Sequence, residues 1–249
     1  MPIDVGQHNL EIHDNAERWR RKPLLQRIYR DFYVEISNEL RRDLPGETVE
    51  IGSGIGNLKT AVPGALATDL FPNPWLDRVE NAYALNFAEG SVANLILFDV
   101  WHHLEHPGTA LAEFHRVLTP GGRLVIFDPA MGLLGRLVFG LFHHEPLGLR
   151  DEIRWWAPSS FSPAEMTYYA AQGNAHRVFF SDEWVSQLGS WRIVRRNLRA
   201  AIPYVASGGF RGPQLYPASL LPVLRTLDRV ANWFPALFAT RLLVSLEKK

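Results

Sequence analysis

The segment Val49-Glu50-Ile51-Gly52-Ser53-Gly54-Ile55-Gly56-Asn57 constrains the fold more than any other part of the chain. An apolar lead-in carrying one acid runs into three glycines spaced two apart. That is the pattern of a buried strand ending in a tight turn, with a helix to follow. Glycine is required where backbone bends sharply or touches a ligand closely. Such a turn at the carboxyl end of a first parallel strand opens a nucleotide-type crevice in an α/β sheet. A dinucleotide fold, G-x-G-x-x-G, would place its last glycine at Asn57. Here the third glycine comes one position earlier, as E-x-G-x-G-x-G.

The rest of the chain fits a sheet built around that strand. Residues 14–44 read as a helix, with Asp14 as its cap and Pro45-Gly46 as its stop. Leu24, Leu25, Ile28, Phe32, Ile36 and Leu40 recur at helical spacing and predict a buried face. Arg18, Arg20, Arg21, Arg27 and Arg30 then form a solvated face, or alternatively hold an anionic substrate. Strands are expected at 48–51, 64–68, 92–98, 123–127, 191–198 and 239–246, and helices at 110–118 and 215–234. The run 92–98 is apolar except for Asn94, as suits a central parallel strand buried on both faces. Residues 130–185 carry Trp155, Trp156, Tyr168, Tyr169, Phe179 and Phe180 among prolines and glycines. This long aromatic insertion reads as a lid, with about half of its aromatics serving as core.

At 249 residues the chain suits a single domain. Its expected parts are a helical cap (1–44), a core (45–130), a lid with substrate contacts (131–189) and closing strands and helices (190–249). Lys+Arg and Asp+Glu both number 26, and the absent basic excess argues against a nucleic-acid partner. The absence of cysteine excludes disulfides, thiolate metal sites and a cysteine nucleophile. Residues 1–19 carry no apolar signal core, and the apolar run 132–142, broken by Arg136, is too short to span a bilayer. A cytoplasmic location is expected, and the oligomeric state stays open.

E-x-G-x-G-x-G resembles the first motif of class I S-adenosylmethionine (SAM) dependent methyltransferases. Three further phrases extend the likeness over residues 45–130. Asp69 ends the second strand, Asn81-Ala82-Tyr83-Ala84-Leu85-Asn86-Phe87 follows, and then LILFDVWHHLEHPGTALAEFHRVLTPGGRLVIFDP resembles the fourth and fifth strand region of type 11 methyltransferases. The resemblance implies an α/β fold with a doubly wound, mostly parallel seven-stranded sheet, an inserted lid, and an antiparallel edge made by the last two strands. It implies SAM as cofactor and a small-molecule substrate. Gly52, Ser53 and Gly54 would let backbone approach the methionine part, and Glu50 would hold its amino group. Asp69, with Leu70 beside it, would take the ribose, since a carboxylate at the end of the second strand can accept from both hydroxyls; a turn or helix cap before Pro72 and Pro74 is the structural alternative. Asn81 and Ala82 would take adenine. The family has aspartate at position 81, and an asparagine oxygen still accepts from the adenine amino group. Asp99 and Val100 would line the crevice floor.

Methyl transfer needs a positioned acceptor, exclusion of water and, for a hydroxyl, a group that removes a proton. Histidine suits that last task. His143 and His144, at the start of the lid, rank first, followed by His102. His103 reads as structural, and His8 and His13 before the first helix are further alternatives. Asp99-x-x-His102-His103 also resembles the E-x-x-E-H phrase by which some relatives hold a divalent ion. Histidine replaces their second glutamate, and no metal is assigned on this ground. The expected function is O- or N-methylation of a saccharide or secondary metabolite. A SAM-binding protein without transfer activity is the alternative from another class. An NAD-dependent oxidoreductase is disfavoured by the glycine spacing.

Overall fold

A computed structural model describes residues 5–165 and 168–249. Its centre is the apolar run Val92–Phe98, which forms strand β4. Side chains alternate across a strand, and here both faces are covered. Leu95 and Leu97 join one hydrophobic cluster with Phe114, Trp101 and Phe179, while Ile96 joins another with Leu25, Ile28 and Phe32.

Around it lie β1 (Glu47–Ile51), β2 (Leu66–Asp69), β3 (Arg78–Val79), β5 (Leu118–Pro129), β6 (Trp191–Arg199) and β7 (Arg241–Lys248). The order is β3-β2-β1-β4-β5-β7-β6. The first five in that order are mutually parallel. Strand β7 inserts antiparallel between β5 and β6. The expected seven-stranded doubly wound sheet is therefore present, and its last two strands form the expected antiparallel edge: β6 pairs antiparallel with β7 and so runs with the parallel set, leaving β7 alone reversed. Strand β5 begins earlier than expected. Val92 pairs with Leu118 and Asn94 with Arg123, so Thr119-Pro120-Gly121-Gly122 is an excursion within the strand.

Nine α-helices occur among the described residues: α1 (Val5–Arg21), α2 (Pro23–Ser37), α3 (Pro107–Val117), α4 (Leu133–Phe142), α5 (Asn174–Phe180), α6 (Asp182–Val185), α7 (Ile202–Ala206), α8 (Leu221–Ala231) and α9 (Pro235–Phe238). The single helix expected over 14–44 is thus two. Pro23 lacks the N–H that would continue α1, yet its fixed φ suits the first turn of α2. Asp14 is no cap; it lies inside α1 and accepts from Arg18 at 2.7 Å. The helix ends at Ser37, well before Pro45-Gly46. The predicted apolar face is buried at Leu24, Leu25, Ile28, Phe32 and Ile36. The expected helix over 215–234 is replaced by a 3-10 turn at Ala218–Leu220 and then α8. Among the described residues no helix is long and apolar enough to cross a membrane.

Candidate active site

The turn after β1 is held by residues that are themselves spent on structure. Gly52, Gly54 and Gly56 all have positive φ, between 55° and 69°, which is strained for any residue with a Cβ. At Gly52 a Cβ would also lie 2.4 Å from Val100 Cγ2, so glycine is what lets the end of β4 close on the end of β1. Ser53 ties the turn to β2: its N–H donates to Thr68 O at 2.8 Å and its hydroxyl accepts from Thr68 N at 3.0 Å. Asp69 accepts from Gly54 N at 2.9 Å and from Leu70 N at 2.7 Å. Its carboxylate therefore sits at the mouth of the turn.

Glu50 is buried, and its Oε2 has no hydrogen-bond partner. Burial pushes its carboxyl up to about 8, with the Asp69 charge adding to the shift. One of its oxygens is left without a partner in the fold, so it fits a cationic or hydrogen-bond-donating ligand group beside Gly52, as the ammonium of a methionine part would be. Helix α1 covers the same turn. Ile12 Cδ1 lies 3.6 Å from where a Cβ on Gly54 would stand, and His13 packs edge-on against Trp75 with ring centres 5.2 Å apart. His13 is thus inside α1 rather than ahead of it; the side chain of His8 lies outside the described residues. Asn81 accepts from Tyr83 N at 2.9 Å and donates to Pro163 O at 2.8 Å, which joins the loop carrying Ala82 to the insertion.

Asp99 departs from its expected neighbours. Its φ of 57° puts a non-glycine residue in the left-handed region, where strain persists only if the surroundings impose it. Two bonds impose it here. Its N–H donates to Phe127 O at 2.8 Å, and its carboxylate pairs with Arg241, a buried guanidinium that also lies over the Tyr204 ring at 4.6 Å. Asp99 therefore does not group with His102 and His103.

What does group with them is Glu145. His102 Nδ1–H donates to both oxygens of the fully buried Asp128, at 3.1 and 3.2 Å, and its Nε2 lies 3.5 Å from Glu145. His103 Nδ1–H donates to Tyr169 O at 2.9 Å, and its Nε2 lies 3.8 Å from Glu145. His143 Nδ1 is 3.7 Å and His144 Nε2 4.0 Å from the same carboxylate. Tyr168 OH and Gln172 Nε2 donate to it. The three predicted catalytic histidines thus converge on one acid that sequence reasoning passed over. Burial disfavours charge on His102, but Asp128 and Glu145 overcome it and push the imidazole up to about 10. Burial and the His102 charge push His103 down to about 4. Burial lowers His143 as well. Asp128 closes β5 beside β4, so the alignment of adjacent strand ends would have found it. Arg241 left no sequence signal.

Residues 50–126 match the family model described as a methyltransferase domain. The match spans the glycine turn, Asp69, the residue 81–87 loop and the β4–α3–β5 phrase. Over those residues the chain is similar to that methyltransferase family. Similar solved structures carry the same fold. The geranyl diphosphate C-methyltransferase of Streptomyces coelicolor A3(2), with Mg2+, geranyl diphosphate and S-adenosyl-L-homocysteine, is 12% identical at TM-score 0.55, covering 90% of this chain and 80% of that one. A geranyl diphosphate methyltransferase in complex with SAM is 13% identical at TM-score 0.52, covering 88% and 85%. No curated protein sequence matches the chain. Both of those structures were solved with SAM or S-adenosyl-L-homocysteine bound. The cofactor's sulfonium supplies an activated methyl group when bound. Glu50, Asp69 and the glycine turn come together at one edge of the sheet.

Proposed function

We propose that the protein methylates an oxygen or nitrogen of a polar small molecule, a saccharide or secondary metabolite, bound at the His102–His103–Glu145 cluster. The observation that carries this reading is the position of the cluster. Val100 touches the Gly52 turn, and His102 follows two residues later at the same sheet edge, where α/β folds bind ligands. Polar donors and acceptors from the 3-10 turn Trp101–His103 and from residues 143–172 face one another there, which suits an acceptor rich in hydroxyl or amino groups. Residues 131–189 act as the lid. His143, kept neutral by partial burial, is the proton acceptor, with His144 beside it; His102, held between two carboxylates, orients the acceptor instead.

On the cofactor side Glu50 holds the methionine ammonium, Asp69 and Leu70 the ribose edge, and Asn81 and Ala82 the adenine edge, while Gly52, Ser53 and Gly54 bring backbone close and Asp99 and Val100 form the floor. Calorimetric titration with SAM, S-adenosylhomocysteine and NAD tests the first half. Tight binding of the first two without NAD is expected. Asp69→Ala should weaken S-adenosylhomocysteine about 10- to 100-fold, because charge-assisted hydrogen bonds contribute roughly 1.5–3 kcal/mol in total. Unchanged affinity removes the ribose role. Product formation from hydroxylated and aminated acceptor panels tests the second half, with loss of turnover but retained cofactor affinity expected in His143→Ala.

A further inference from the structure

The cluster around Glu145 has a property that acid–base work does not require. Both imidazoles have their Nδ1–H committed on the side facing away from it. His102 Nδ1 faces the Asp128 carboxylate, and His103 Nδ1 faces the Tyr169 carbonyl, which can only accept. Each Nε2 therefore faces the same carboxylate, and a bound cation would take the place of the proton that His102 shares with Glu145. One ligand atom from each of His102, His103 and Glu145 lies within 4.8 Å of the other two. Ligand atoms around a tetrahedral zinc with bonds of about 2.0–2.1 Å stand roughly 3.3 Å apart, so a small contraction closes the set.

We propose that His102, His103 and Glu145 form a site for one divalent transition-metal ion, held through the two Nε2 atoms and the Glu145 carboxylate, with a remaining position open to an acceptor oxygen. The supporting residues are those a metal site needs. A ligating histidine donates its other N–H to a carboxylate or backbone carbonyl, as Asp128 and Tyr169 provide. The Glu145 carboxylate is in turn oriented by Tyr168 and Gln172. Two imidazoles and one carboxylate favour zinc-class ions over magnesium, which prefers oxygen ligands. Asp99 takes no part, since Arg241 neutralises it.

The inference rests on the cluster being the acceptor site and narrows the acceptor to a hydroxyl. A hydroxyl ligated to the ion becomes more acidic. Its proton passes to His143, the O–C bond forms as the C–S bond breaks, and the sulfonium sulfur becomes a neutral thioether.

The test is titration of chelator-stripped protein with Zn2+, with Co2+ as a spectroscopic probe, and with Mg2+. Expected are one Zn2+ per chain, the intense visible absorption of tetrahedral Co2+, and at least tenfold weaker binding in both His103→Asn and Glu145→Gln. Asp128→Asn should weaken binding about 10- to 100-fold through its hold on His102. His115→Asn, on α3 and away from the cluster, should bind as the parent does. Absence of stoichiometric Zn2+ binding, preference for Mg2+, or unchanged affinity in the His103 and Glu145 variants overturns the site. S-adenosylhomocysteine affinity in the same samples reports folding. It also separates the two ideas, because loss of metal binding with intact cofactor binding sinks the metal site alone, whereas failure to bind cofactor sinks the underlying reading.

Discussion

At the scale of single residues, the cofactor side turns on Glu50. An acid buried at the end of β1 with an orphaned oxygen is costly in the free protein, and its carboxyl is pushed up to about 8 by burial. Below that pH the free protein carries the proton. A ligand ammonium pairs with the carboxylate, so binding must expel the proton. The sign follows: cofactor affinity rises with pH up to about 8 and then levels, with a slope approaching tenfold per pH unit below it. Isothermal titration of S-adenosylhomocysteine from pH 6 to 9 checks this. Glu50→Gln should bind more weakly at pH 8.5 and lose the slope. A slope that persists in the variant would assign the proton to another group, and a flat profile in the parent would detach Glu50 from the amino group altogether.

At the scale of elements, what was legible followed from local pattern. Strand β4 announced itself by an apolar run broken only at Asn94, and α3 by its amphipathic pattern over 110–118. Glu50 and Asp69 were legible because strand ends in a parallel sheet share one edge. Strand β3 was not, since a two-residue strand has no periodicity to read. The split of α1 from α2 falls at Pro23, one residue before the apolar spacing begins at Leu24, so that spacing does not mark it. Glu145 was out of reach for a different reason. Its meeting with His102 depends on how the insertion packs, and no local rule encodes that. One anchor of the insertion is a glycine. Gly108, in the first turn of α3, has its N–H bonded to Trp155 O at 2.8 Å, and a Cβ there would lie 2.3 Å from Trp155 Nε1. Helix propensity alone favours alanine by about 1 kcal/mol. Displacing Trp155, which stacks on Trp184, costs more, about 1–3 kcal/mol for an overpacked core. Gly108→Ala should therefore lower the melting temperature and speed amide exchange over residues 150–160. A raised melting temperature would show that propensity wins and that Trp155 anchors nothing.

At the scale of the molecule, the two hydrophobic clusters are not independent. One lies on each face of the same sheet, and β4, β5 and β7 contribute alternate residues to both: Leu95 and Ile96, Leu124 and Val125, Leu242 and Leu243. Strand β7 carries residues near the C-terminus into the sheet beside β5, between the core motifs and β6. Its Arg241 reaches Asp99, the residue just after the end of β4. Unfolding either face removes one wall of the strands that support the other. The cap, core, insertion and closing segment should accordingly melt as one unit. Cofactor product present at a hundredfold excess over its dissociation constant adds about 2.7 kcal/mol to the stability of whatever unit binds it. For a chain of this length, a gain of that size raises the melting temperature by roughly 5–10 °C. Differential scanning calorimetry with and without S-adenosylhomocysteine should show a single transition that moves as a whole. Two transitions, of which only one moves, would mean that the insertion folds apart from the sheet, and that the Glu145 carboxylate reaches the histidines only once a separate unit has docked.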